Sequence, residues 1–156
     1  MEQAIFAAGC FWSPEADFAR LPGVTATEVG YTGGTKDNPT YEQVCTGRTG
    51  HAEAVRVEFD PAKISYADLV EKFFAMHDPT QLNRQGPDTG TQYRTAIFTA
   101  TPEQEKTAQE IKAKLDASGR FKKPIATVIE PAKKFWRAEE YHQKYYDRRG
   151  GGSCRI

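Results

Sequence analysis

The stretch QAIFAAGCFWSPEADFAR, residues 3–20, decides the architecture. Its first six residues are a short apolar run without a turn former, the pattern of a buried strand. Gly9 breaks that run. Ser13 then offers an N-cap with Pro14 at the first helical position, and Glu15 and Asp17 suit the positive end of a helix reaching about Arg20. Leu21-Pro22-Gly23 stops it. Cys10 therefore falls at a strand-to-helix junction.

Outward from this stretch, residues 24–31 (VTATEVGY) read as a second strand, followed by a long polar segment from Thr32 to His51. Segments this long inside a compact domain are usually functional or disordered. Residues 52–59 (AEAVRVEF) alternate as a third strand, with either Ala54 or Val55 continuing the face of Val57 and Phe59. Ser65 with Asp68 three residues later marks a capping box, and Leu69, Val70, Phe73 and Phe74 share one helical face up to Asp78-Pro79. A second polar segment spans Thr80 to Gln92. Residues 93–100 are a fourth strand, and Thr101-Pro102-Glu103-Gln104 is a helix start with cap, proline and reciprocal glutamine. Residues 125–130 are a fifth strand, and 135–147 read as a last helix.

The order is β-α-β-β-α-β, then α-β-α. Its first six elements match a split βαβ, ferredoxin-like unit: an α/β (α+β) fold with helices over one face of a mixed sheet. With no internal repeat, residues 1–156 are expected to be a single domain. Gly150-Gly151-Gly152 predicts a flexible tail over 148–156 that carries Cys154.

At 156 residues the chain can bury one core without disulfides or metals. Its net charge is zero, which argues against nonspecific nucleic-acid binding or a polybasic membrane contact. The longest apolar run, Ala4 to Ala8, is far too short to span a bilayer. Three widely spaced cysteines are not a secreted disulfide framework. AAGC before Phe11 looks like the end of a lipoprotein signal, but the residues ahead of it lack a basic start and a long apolar region. A cytoplasmic protein is expected.

Several residues could carry chemistry. Cys10 is either a small buried turn residue or a nucleophile: a thiol at a helix N-terminus meets unpaired N–H groups that favour the thiolate. Phe11 and Trp12 could line an apolar pocket beside its sulfur. Cys154 is either an inert tail residue or a resolving thiol for an oxidised Cys10. Cys45 reads as a bystander or a backup resolver. Glu53 is either a solvated strand-end charge or, if buried, a proton donor near neutral pH. Tyr41 and Tyr93 either pack or donate hydrogen bonds to a polarised oxygen. Asp88 flanks the second polar segment with Tyr93. There is no H-E-x-x-H and no C-x-x-C, so no metal site is expected. A cysteine hydrolase pairing Cys10 with His51 or His77 remains open on spacing alone.

Taken together, GCFWSPE, GYTGG, NPTYEQVCTGRTGHAEAVRVEFDP, HDPTQLNRQGPDTGTQYRTAIF and FWRAEEYHQKYY resemble the A-type peptide methionine sulfoxide reductases, in order, over roughly residues 3–147. The resemblance implies a two-layer sandwich and an oxidoreductase that reduces methionine S-sulfoxide, free or in peptides, to repair oxidative damage. It implies Cys10 as nucleophile and Glu53 as proton donor to the sulfoxide oxygen, helped by Tyr41 and Tyr93. Phe11 and Trp12 would hold the methyl group and Asp88 the peptide side. Cys154 would resolve the Cys10 sulfenic acid, and thioredoxin, as external reductant, would recycle the disulfide with no bound cofactor. A monomer is expected, and a pocket that reads oxidised methionine without catalysis is the alternative use of the same residues. Ser13 stands where the family usually has glycine.

Overall fold

The computed structural model describes residues 2–145; Met1 and residues 146–156, with Cys154 and the expected tail, lie outside the described residues. Strands β1 (Glu2–Ala8), β2 (Val24–Thr32), β3 (Ala52–Phe59), β6 (Thr95–Thr99), β7 (Val128–Pro131) and β8 (Trp136–Arg137) form one sheet. A small hairpin, β4 (Arg84–Gln85) and β5 (Asp88–Thr89), stands apart. The helices are α1 (Trp12–Ala19), α2 (Tyr41–Cys45), α3 (Tyr66–Ala75) and α4 (Pro102–Ala117).

The sheet order is β7-β6-β1-β3-β2-β8. Its central quartet, β6-β1-β3-β2, is antiparallel throughout and has the split-βαβ connectivity: β1 and β2 run parallel with β3 inserted between them. The parallel β6–β7 pair makes the sheet mixed. These are the fold and connectivity expected from the pattern.

Side-chain alternation separates two faces. Phe6, Val29, Tyr31, Val55, Val57, Phe59 and Ile97 face the helices and meet Phe18 of α1, Leu69 and Phe73 of α3 and Ala108 of α4. The Phe6 ring stacks on Phe18 at 5.0 Å and on Phe73 at 5.4 Å, tying β1 to two helices directly behind the turn that follows it. Truncating one such phenylalanine to alanine typically costs about 3–5 kcal/mol. Ile5, Ala7, Ala52, Ala54, Ala96 and Phe98 line the opposite face, where Gly33, at φ +89, lies against the Phe98 ring. The alternation in β3 is thus settled: Val55, not Ala54, shares the face of Val57 and Phe59. Glu53, two residues before Val55, consequently points under the helices and is buried.

Several local expectations are corrected. The first turn of α1 begins at Trp12, its N-cap is Phe11 without a side-chain cap bond, and Ser13 is buried inside the helix rather than capping it. Burial of Phe11 and Phe18 fixes where this helix starts, and the apolar contacts override the Ser-Pro signal. The first polar segment contains α2, closed by a full Thr40/Gln43 capping box. The second folds into the β4–β5 hairpin and a 3₁₀ turn, Thr91–Tyr93, so Tyr93 precedes β6 instead of belonging to it. Gln104 accepts from Ala100 N–H rather than from the cap residue Thr101. The fifth strand is shifted to Val128–Pro131. The last helix is replaced, as far as it is described, by β8 and a 3₁₀ turn over Glu140–His142, because that stretch is held by the neighbouring strand and not by its own helical face. The Ser65/Asp68 capping box of α3 forms as the sequence requires.

Candidate active site

The end of β1, the start of α1, the start of β3, α2 and the loop leading to β6 converge on Cys10. Gly9 makes the turn possible. It sits at φ +90, and a Cβ there would fall 2.7 Å from Cβ of Gln85, so any other residue would push the hairpin away. Cys10 follows, half-buried and outside any disulfide among the described residues.

Glu53 reaches across from β3. Its Oε1 accepts a hydrogen bond from Phe11 N–H at 3.3 Å, which locks the carboxyl against the residue next to Cys10. Only 1% of Glu53 is exposed, and its Oε2 has no hydrogen-bond partner among the described residues. Burial pushes its pKa up to about 8, with the Asp88 carboxylate adding to the rise and the Phe11 bond opposing it. Burial therefore favours the protonated acid at neutral pH, with one oxygen unpartnered among the described residues.

Tyr41 at the start of α2 and Tyr93 in the 3₁₀ turn close this corner. Burial first, and then the neighbouring Glu53, push both phenols well above the ordinary tyrosine range, and each also feels the other or the shared thiols nearby. Both remain hydroxyl donors throughout the physiological range. Asp88 of β5, half-buried, lies close enough to act electrostatically on Glu53 and Tyr93. Cys45, exposed at the last position of α2, hydrogen-bonds the Tyr41 hydroxyl. Phe11 is buried and Trp12 half-buried; the latter stacks face to face on Tyr145 at 3.8 Å.

The structure thus brings together Cys10, Phe11, Trp12, Tyr41, Glu53, Asp88 and Tyr93. Cys154 lies outside the described residues. The described chain leaves the site at Tyr145, on top of Trp12. Eight residues lie between Tyr145 and Cys154, and the nine steps give a contour of about 30 Å at full extension.

His51 and His77 are engaged elsewhere. His51 accepts from Gly34 N–H at Nδ1 and bonds Lys36 O through Nε2. His77 is bound to Phe73 O and Thr95 Oγ1. Both pin backbone, which leaves the hydrolase reading without a base.

Sequence reasoning missed Glu139. Its Oε2 accepts Tyr41 N–H at 2.8 Å and its Oε1 accepts the Tyr31 hydroxyl at 2.8 Å. Burial raises this carboxyl, but those hydrogen bonds outweigh it and the net direction is down. It is a charged peg holding the first residue of α2. Nearby, Gln143 bonds both N–H and C=O of Val29, and Lys144 N–H donates to the buried Glu15 at 2.6 Å. Residues 138–145 are thereby strapped to β2 and α1. In sequence these polar residues look like the solvated face of a helix.

The family model described as peptide methionine sulfoxide reductase matches residues 2–156. The chain belongs to this family. It is 60% identical over its whole length to the peptide methionine sulfoxide reductase MsrA of Methanoculleus marisnigri, covering 95% of that protein. Among solved structures, the reduced form of Mxr1 from Saccharomyces cerevisiae superposes with a TM-score of 0.91 at 38% identity, over 98% of this chain and 88% of that one. The same yeast protein in complex with Trx2 gives 0.65 at 25% identity, over 92% and 84%. As a member of the family the chain is an oxidoreductase. Among the described residues no cluster of three or more metal-ligating side chains occurs, and no helix is long and apolar enough to cross a membrane.

Proposed function

We propose that Cys10 attacks the sulfur of methionine S-sulfoxide while Glu53 protonates the departing oxygen. The carrying observation is a buried Glu53 whose Oε2 has no hydrogen-bond partner among the described residues and whose other oxygen is locked to Phe11 N–H beside the thiol; burial favours its protonated form. A sulfoxide sulfur is a poor electrophile until its oxygen is protonated or strongly hydrogen-bonded. Glu53 supplies the proton, and the Tyr41 and Tyr93 hydroxyls stabilise the developing charge. Phe11 and Trp12 pack the S-methyl group. With oxygen and methyl sent to different walls, only one epimer presents its sulfur to Cys10. Asp88 contributes to holding the peptide side.

The step balances as follows. A bond forms between Cys10 Sγ and the substrate sulfur as the S–O bond breaks, and the oxygen leaves as water with the Glu53 proton and the thiol proton; a water then attacks Cys10 Sγ and returns a proton to Glu53, the S–S bond breaks, the thioether leaves and Cys10 becomes a sulfenic acid. The Cys154 thiol then attacks this sulfur, a disulfide forms and water departs. A thioredoxin dithiol reduces the disulfide by exchange. The substrate gains two electrons and thioredoxin loses two. The yeast structural relative solved in complex with Trx2 supports that reductant. The proposal includes a single domain over 1–156 with residues 148–156 as its reactive tail, acting as a monomer in the cytoplasm on free and peptide-bound methionine sulfoxide, with no nucleic-acid or membrane partner and no bound cofactor.

The test is a single turnover without reductant on N-acetyl methionine S-sulfoxide amide. Wild type should yield about one equivalent of thioether and lose two thiols. Cys154→Ser should give the same product with a trappable sulfenic acid, and Cys10→Ser none. Normal turnover by Cys10→Ser would overturn the assignment, and product without loss of a second thiol would remove Cys154 from it.

A further inference from the structure

We propose that His142 is a positioning residue of this site, holding the Trp12 indole through Nδ1 and the Phe11 and Tyr41 rings through its faces. The inference rests on the reading of Phe11, Trp12 and Tyr41 as substrate-contacting groups.

Trp12 Nε1–H donates to His142 Nδ1 at 3.0 Å. The imidazole centroid lies 4.4 Å from the Tyr41 ring, 5.1 Å from Phe11, 5.7 Å from Trp12 and 4.2 Å from Tyr141. One ring therefore touches both walls assigned to the methyl group and one of the two phenols assigned to the oxygen. Indole is a donor only, so Nδ1 must be the acceptor and the neutral ring carries its hydrogen on Nε2. Burial pushes the His142 pKa down, against the opposing Glu139 carboxylate, so the neutral form dominates at working pH.

His142 is 1% exposed, and its Nε2 has no hydrogen-bond partner among the described residues. An unmet buried donor is a cost to stability. Phenylalanine would fill the same space against the same rings without that cost. What imidazole supplies here and phenylalanine lacks is the Nδ1 acceptor for Trp12. The position is thus explained by the orientation of Trp12 and not by the stability of the fold. Glu139, three residues earlier at the N-cap of the same 3₁₀ turn, holds the backbone of Tyr41, so a single strap sets both substrate-facing elements.

The experiment uses the full chain in a Trp136→Phe background, which leaves Trp12 as the sole tryptophan. His142→Phe keeps the ring and loses the acceptor. His142→Asn loses the ring but places a carbonyl oxygen about where Nδ1 was. For N-acetyl methionine S-sulfoxide amide, kcat/KM should fall about tenfold or more in His142→Phe, mainly through KM, with changed Trp12 emission and unchanged or higher Tm. His142→Asn should have the lower Tm of the two but the parent emission and the higher kcat/KM. The two variants thus rank in opposite order for stability and activity. Activity tracking Tm across both variants, or kcat/KM of His142→Phe within about threefold of the parent, overturns the proposal. Cys10→Ser run in parallel separates the failures: if it is inactive while His142→Phe is not, only the role of His142 falls; if it turns over, the underlying reading falls as well.

Discussion

Glu53→Gln is the most informative single change in the chain. The carboxyl is 1% exposed, and burial lifts its pKa from 4.5 to about 8. At pH 7 roughly nine-tenths of the protein then carries the proton that the chemistry needs, and at pH 9 roughly one-tenth does. As a proton donor to the sulfoxide, wild-type Glu53 makes kcat/KM fall about tenfold per pH unit above 8. Glutamine keeps the size and an acceptor for Phe11 N–H but has no acidic proton, so kcat/KM should drop about 10²–10⁴-fold and the descent near pH 8 should vanish. Stability moves the other way. The folded carboxyl holds its proton between pH 4.5 and about 8 where the unfolded chain has released it, so wild type loses stability as pH rises through that window. The loss amounts to roughly 5 kcal/mol by pH 8 and is flat above. Glu53→Gln has no such slope, and its advantage in Tm over wild type should grow from pH 5 to pH 8. The assays are quenched single turnovers monitored by thioether formation and thermal melts at the same pH values. A variant within about threefold of wild-type kcat/KM, or wild-type activity level through pH 9, would refute the reasoning.

Glu139→Gln removes the charge that accepts both Tyr41 N–H and the Tyr31 hydroxyl, and a hydrogen bond to a charged group is worth about 1.5–3 kcal/mol, so Tm should fall together with kcat/KM. Ser65→Ala breaks the capping box of α3, away from the site; it should lower stability by about 1 kcal/mol in denaturant melts while single-turnover yield stays at one equivalent.

What the sequence by itself determined is local or periodic. The buried strand before Gly9, the period-2 pattern of 52–59 and the capping signals at Ser65 and Thr101 each prescribe their element through contacts within a few residues, and together they prescribe the ferredoxin-like order. The motif blocks around Cys10, Tyr41, Glu53, Asp88 and Tyr93 also named the residues that meet. The Ser-Pro signal at the start of α1 misled, because long-range burial of Phe11 and Phe18 outweighed a cap worth about 1 kcal/mol. The proposed helix over 135–147 misled for the same kind of reason: Gln143 and Glu139 find partners on β2 and α2 that no local pattern displays. The acidity of Glu53 was likewise undecidable from its neighbours in the chain. Only the sheet register, which turns it under the helices beside Phe11, removes its water. The orientation of Trp12 required an acceptor 130 positions away, at His142. A hydrogen bond between residues that distant in sequence leaves no trace in composition or spacing, and exists only once β1, β3 and the C-terminal strap have been folded against one another.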